Sequence, residues 1–312
     1  MAATTKNILI FGATGLIGTH ITNSILANKD KFGRIAIFTS PNTIWTKSDE
    51  IDQLKAQGAE IIAGEITSEA AVNEAYNGID TVVSCVGRPV IHTQLQLIQL
   101  ADKHPDVKRF FPSEYGTDIE YWPSSANEAP HQQKLKVRAL LKNVKDLTYT
   151  YVVTGPYGDA DGALYLGAKP PADEAEGTFD VKRKRAVLLG DGKGKISLTT
   201  MRDVGKFVVA AILHPKAVAN KAIHVNSFTS TPEEITAEYE RQTGEKWERA
   251  YTSLEKLNQI EAEKGGSVTL RRIWTEGGTL YEKRDNHLVG LEDGVDDLQA
   301  AVKQAIEVQK AT

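Results

Sequence analysis

The chain has a single cysteine, Cys85, in 312 residues. No intrachain disulfide framework is available, so the fold must rest on its core. Neither charge is in excess: 37 Lys and Arg stand against 41 Asp and Glu, a net charge of −4. That balance excludes a general affinity for nucleic acid. No apolar run approaches the about 20 residues a membrane span needs. The opening Met-Ala-Ala-Thr-Thr-Lys lacks the apolar core of a secretory signal, which predicts a cytoplasmic protein. No Gly-Lys-Ser/Thr is present, which excludes the P-loop of ATP and GTP sites. Glu114 and Asp118 have a spacing open to a metal, but no His or Cys joins them, so no metal is expected. With 41% hydrophobic and 25% charged residues, what remains is an ordinary globular composition.

The most informative stretch present is Lys6–Gly18. An apolar run, Ile8 to Phe11, stops at Gly12, Ala13, Thr14 and Gly15, and Leu16, Ile17 and Gly18 open a helical pattern. A strand, a glycine turn and a helix in this order present backbone N–H groups to a phosphate. Gly12 suits the tight turn, Gly15 lets a pyrophosphate approach, and Gly18 lets the helix lie on the strand. The spacing is G-x-x-G-x-x-G rather than the G-x-G-x-x-G of the usual dinucleotide fingerprint.

Strands and helices then alternate. Strands are expected at Asn7–Phe11, Arg34–Phe38, Glu60–Ala63, Thr81–Val86, Lys108–Phe111 and Leu147–Val153. Helices are expected near Leu16–Ala27, Ser48–Gln57, Ser68–Tyr76, His92–Lys103 and Pro130–Asn143. The reading is an α/β fold: a Rossmann-type, doubly wound parallel sheet over residues 1–155. Residues 156–312 lose this rhythm and read as a smaller α/β cap that binds substrate, with some segments returning to the sheet. Helices are expected at Met201–Leu213, Pro232–Thr243, Leu254–Lys264 and Val295–Gln309, a strand at Ala222–Asn226, and a pocket loop over Pro156–Pro171.

Ligands in such sheets bind beyond the carboxyl ends of the strands. The second strand runs into Thr39 and Ser40 with no acid until Asp49, so an NAD-type acid on the ribose is missing and NADP is expected. Thr39, Ser40 and Lys47 are the candidates for the 2′-phosphate. Glu65 and Ile66 stand where an adenine would lie. Ser84, Cys85 and Val86 close the fourth strand near the nicotinamide ribose, and Gly155 and Pro156 follow the sixth. Cys85 reads as packing rather than as a nucleophile, since no His partner is evident.

The chemistry is expected on the helix after the fifth strand. Val137, Leu140, Leu141 and Val144 define its buried face, and Lys134 shares that face while Lys136 points about 200° away. An inward lysine at a helix entrance needs a polar partner or a function. Arg138, one turn on, and desolvation would both lower the pKa of Lys134 and make it a usable acid or base near neutrality.

These pieces together resemble the isoflavone reductase-like group within the NmrA-like atypical short-chain dehydrogenases. That group includes isoflavone, pinoresinol–lariciresinol and phenylcoumaran benzylic ether reductases, and eugenol synthases. The resemblance rests on Gly12–Gly18, Val83–Gly87, Arg109–Gly116 and Lys134-x-x-x-Arg138, and more weakly on Leu188–Gly192 with Arg202–Val204. It implies NADP(H)-dependent reduction of a conjugated or benzylic carbon, with Lys134 as general acid/base and Arg138 anchoring either the lysine helix or the cofactor. One departure is that the plant reductases carry an Arg where this chain has Thr39. Tyr115, Tyr157 and Tyr165 are expected to line the substrate pocket of a monomer or homodimer.

Two rival readings remain. One is a catalytically silent dinucleotide sensor that binds a protein partner, mildly favoured by the basic run Lys182–Arg185. The other is an epimerase, disfavoured because Tyr165-x-x-x-Lys169 follows the sixth strand instead of the fifth. His131 reads as a cap or surface residue, or else as a proton shuttle.

Overall fold

The computed structural model describes residues 5–160 and 164–311. The start of the opening segment and the middle of the expected pocket loop lie outside the described residues. Twelve described strands, β1 to β12, form three sheets. The main sheet takes β1 (Ile8–Phe11), β2 (Ile35–Thr39), β3 (Glu60–Ala63), β4 (Thr81–Ser84), β5 (Arg109–Phe111), β6 (Thr148–Val153) and the late β10 (Lys221–His224). Its order is β3-β2-β1-β4-β5-β6-β10 and every pairing is parallel. This is the doubly wound order with one added strand, and it turns back between β1 and β4.

The strands are apolar on both sides because both faces are covered. One face is packed by α1 (Leu16–Ala27) and by the helix Met201–Leu213, through Ile21, Ile25, Val204, Phe207 and Val208. Among the helices between the strands are α2 (Pro41–Thr46), α3 (Ser48–Gln57), α4 (Glu69–Ala75), α5 (Gln94–Lys103) and α6 (Gln132–Leu141). The opposite face is packed by α4, α5 and α6 through Val72, Leu97, Ile98, Val137 and Leu141. Further along come α7 (Met201–Leu213), α8 (Pro215–Val218), α9 (Pro232–Thr243), α10 (Leu254–Lys264), α11 (Ser267–Thr275) and α12 (Leu298–Ala311). Among the described residues no helix is long and apolar enough to cross a membrane.

The later half carries two small sheets. The strands β7 (Thr178–Asp180), β8 (Arg185–Leu189) and β12 (Glu248–Thr252) form one, and β9 (Ile196–Leu198) with β11 (Phe228–Ser230) the other. These short strands were not separated by the sequence pattern, and neither were α2 and α11. At α2 the stretch after β2 is a helix because Ser40 caps it, accepting from the Thr43 N–H at 3.1 Å, with Pro41 at its first position. The strand expected at Thr81–Val86 ends at Ser84, and the helix expected from Pro130 begins at Gln132 after a 3₁₀ turn, Ala129–His131.

The basic run Lys182–Arg185 covers the turn between β7 and β8 and the first residue of β8. Arg183 pairs with Asp180 and Glu174, Lys184 with Glu245, and Arg185 with Glu174 and Glu248. Three of its four cations are neutralised in place, so the run is a structural turn rather than a free basic patch.

Candidate active site

The glycine turn has the geometry its residues predict. Gly12 sits at φ +74°, and a Cβ there would lie 2.7 Å from the Cys85 carbonyl oxygen. A Cβ at Gly18 would meet the Gly12 oxygen at 2.0 Å, so no larger residue fits between turn and helix. The α1 N-terminus is left open: Gly15 caps it without a side chain and its first turn holds no acid. An anion fits there, because the helix presents unpaired N–H groups and partial positive charge. At the neighbouring strand end, Lys47 donates to the Thr14 carbonyl and pairs with Glu50 at 3.3 Å. That contact ties the junction of α2 and α3 to the glycine turn. Thr39 and Ser40 are half-buried beside it, and Glu65 is exposed beyond β3 with Ile66 half-buried.

From the glycine turn a cavity of about 460 Å³ runs across the carboxyl ends of β4, β5 and β6. Gly15, Leu16, Ile17, Cys85, Val86, Gly155 and Pro156 line it, as do Lys134, Tyr115, Tyr157 and Tyr165. Ser84 does not line it. Its side chain is fully buried in β4 with its hydroxyl unpartnered, so its place is inside the sheet, one residue short of the rim. Burial pushes the Cys85 thiol far up, which keeps it a neutral packing group. The Tyr157 hydroxyl donates to the Tyr115 carbonyl at 2.6 Å and so holds the loop after β6 against the loop after β5. Tyr165 lines the cavity, whereas Lys169 pairs with Glu176, so the Tyr-x-x-x-Lys match is not a working dyad.

Lys134 enters from the first turn of α6. Its ammonium donates to the Glu114 carbonyl at 3.1 Å and lies 3.9 Å from the Glu114 carboxylate. Burial lowers its pKa to about 8; Glu114 opposes that shift, while Arg88 and Arg138 add to it. Arg138 is placed differently from the expectation that it meets the cofactor. Its side chain is 2% exposed and does not line the cavity. It grips both oxygens of Glu114 at 3.1 and 3.0 Å, Asp118 at 2.8 Å and Glu120 at 3.0 Å, with its guanidinium over the Tyr151 ring. Arg138 therefore anchors the lysine helix. Of the pair open to a metal on spacing, Glu114 is spent on this arginine and Asp118 is shared between it and His224 at 2.6 Å, and no metal-holding cluster occurs among the described residues.

His131 is neither a side-chain cap nor a surface residue. It is buried in the cavity wall, its Nδ1 2.9 Å from the Ser125 carbonyl and its Nε2 unpartnered. A carbonyl only accepts, so Nδ1 carries the proton in the neutral ring. Burial lowers its pKa, and the nearby Lys134 adds to that.

Other wall residues carried no motif. Trp274 and Leu270 come from α11, far along the chain, and Trp274 is held by donating from its indole to Thr117 Oγ1 at 2.8 Å. Arg272 on the same helix pairs with Glu128, next to the entrance of α6. Arg88 and Ile91 come from the 3₁₀ segment after β4. Their signal was only positional, since they follow a strand end.

An open helix terminus joined by one cavity to a lysine of lowered pKa is the site of a dinucleotide-binding α/β protein. The chain belongs to the NmrA-like family, whose model matches residues 4–292. It is 30% identical over 273 residues to an isoflavone reductase of Medicago sativa, covering 82% of this chain and 81% of that one. It is 28% identical over 261 residues to a phenylcoumaran benzylic ether reductase of Pinus taeda, covering 83% and 82%. Its fold matches the leucoanthocyanidin reductase–NADPH complex of Vitis vinifera with a TM-score of 0.79 at 22% identity, covering 96% of this chain and 99% of that one. A second complex, with NADP⁺ and (+)-pinoresinol, matches at 0.79 and 20% identity, covering 98% and 100%.

Proposed function

We propose that the protein is a cytoplasmic NADPH-dependent reductase of small conjugated aromatic compounds, with Lys134 as general acid. One observation carries this reading: a single cavity leads from the open end of α1 to a lysine whose proton is loosely held. The relatives named as reductases support it. The turn Gly12–Gly18 would hold the pyrophosphate, Thr39, Ser40 and Lys47 the 2′-phosphate, and Glu65 with Ile66 the adenine. When bound, NADPH supplies the hydride that makes the new C–H bond at an electrophilic carbon. Electron density then collects on the substrate's conjugated oxygen, and the proton on Lys134 Nζ passes to it. Arg138 holds Glu114 in place, and Glu114 holds the ammonium by its carbonyl. Tyr115, Tyr157, Tyr165 and Trp274 enclose an aromatic ring and exclude water.

The test is NADPH consumption over a panel of aromatic enones, phenolics and imines, alongside binding titrations. NADPH is expected to bind far better than NADH. Lys134→Ala is expected to keep NADPH affinity and lose about 10²–10⁴-fold in kcat, the range for a removed acid/base group. Because the acid must be protonated, kcat should fall as pH rises through about 8. Full turnover by Lys134→Ala would overturn the mechanism, and equal affinity for NADH would overturn the assignment of Thr39 and Ser40.

A further inference from the structure

The ionisable groups of the cavity wall lean one way. Besides its tyrosines and the neutral Cys85 thiol, they are Arg88, His131 and Lys134, and no Asp or Glu lines the cavity among the described residues. The nearest carboxylate to the lysine, Glu114, is 1% exposed and committed to Arg138 on both oxygens. Arg88 is the unusual member. Elsewhere Arg34, Arg138, Arg185, Arg249 and Arg272 are all paired with carboxylates. Arg88 makes no hydrogen bond or ion pair with any described residue, yet it lines the cavity and is exposed to whatever enters. It stands close enough to Lys134, His131 and Tyr157 to act on the charge of each.

We infer that the cavity accepts aromatic substrates bearing a carboxylate, and that Arg88 is the residue that recognises it. The inference rests on the reductase reading of the same cavity and names its substrate class. A guanidinium matches a carboxylate with two parallel N–H donors, and this fork is unspent. Much of the remaining lining is apolar and aromatic, with Ile91, Tyr165 and Trp274, so the remainder of the ligand is a flat hydrophobic body. The Arg88 guanidinium and the Lys134 ammonium both face this one cavity, so an anion that enters it meets two cations. Such an anion would also keep the proton on Lys134, opposing the burial that loosens it. The pyrophosphate of the cofactor has its own receptor in the N–H groups of α1, so it does not require Arg88.

The experiment measures binding of three acid–ester pairs to the NADP⁺-loaded protein by calorimetry: cinnamate, 4-coumarate and benzoate, each against its methyl ester. The acids are expected to bind at least about tenfold tighter than the esters, consistent with a charge-assisted hydrogen-bonded pair. Arg88→Gln should abolish that preference and Arg88→Lys retain part of it, with NADPH affinity and Tm unchanged in both. The inference is overturned if the esters bind as well as the acids, if no probe binds at millimolar concentration, or if Arg88→Gln keeps the preference. It is also overturned if Arg88→Gln weakens NADPH as much as the acids, which would assign the residue to the cofactor. The readout is binding alone, so it stands or falls independently of turnover by Lys134→Ala.

Discussion

Lys134 and Arg138 lie one turn apart on α6 and meet the same carboxylate, yet the fold treats them in opposite ways. Arg138 is enclosed and gripped by Glu114, Asp118 and Glu120. Burial alone would weaken its hold on a proton, but the surrounding carboxylates outweigh that and hold it higher than usual. Lys134 has one carbonyl at hydrogen-bond distance and its carboxylate only at 3.9 Å. Burial wins there, and the proton loosens. Saturating a cation makes it structural, and leaving one short of partners makes it reactive.

That contrast breaks most visibly at Arg138. Arg138→Met removes the partner of two buried carboxylates, Glu114 and Asp118, and should destabilise the fold by roughly 3–5 kcal/mol. Urea denaturation checks it, and a loss under about 1 kcal/mol would show that Arg138 is not the anchor. At Lys134 the sign reverses. Its pKa is lowered from 10.5 to about 8, so below pH 8 the folded state carries a charge that it disfavours. Between those values the unfolded chain binds more protons, so the penalty shrinks as pH rises. Lys134→Met should therefore stabilise the protein by roughly 1–3 kcal/mol at pH 7, with the gain fading toward pH 10.5. Equal stability at pH 7 and 10 would mean the lysine is not strained. The smallest effect belongs to Glu120, whose side chain is 38% exposed between Arg138 and Lys142. Glu120→Ala should change stability by less than about 1 kcal/mol in the same assay.

The helix periodicity separated Lys134 from Lys136 because burial repeats every turn, and Lys136 is indeed exposed. It did not separate the roles of Lys134 and Arg138, which share a face. What divides them is the approach of Glu114, Asp118 and Glu120 from the loop after β5, a three-dimensional fact that spacing along α6 does not carry. The parallel sheet was legible because strands such as β1, β2 and β4 are compact, largely apolar runs bounded by turn residues. The strands β7, β8 and β12 were not, since β7 is only three residues long, β8 and β12 pair across about 60 residues of chain, and β12 is interrupted by charged residues. At the site, the glycine turn announced itself through its own stereochemistry. Arg88, Trp274 and Leu270 did not, because a cavity wall needs only the right shape and any of several residues supplies it.

Trp274 and Leu270 give the molecule a property of another kind. The wall they form belongs to α11, which reaches the cavity through Trp274 on Thr117 and Arg272 on Glu128. Lys134 makes its hydrogen bond to Glu114 and not to this helix. The shape of the cavity and its lysine are thus carried by separate elements, so that a substitution at Leu270 or Trp274 reshapes the wall from one short helix while the contact of Lys134 with Glu114 stays on another.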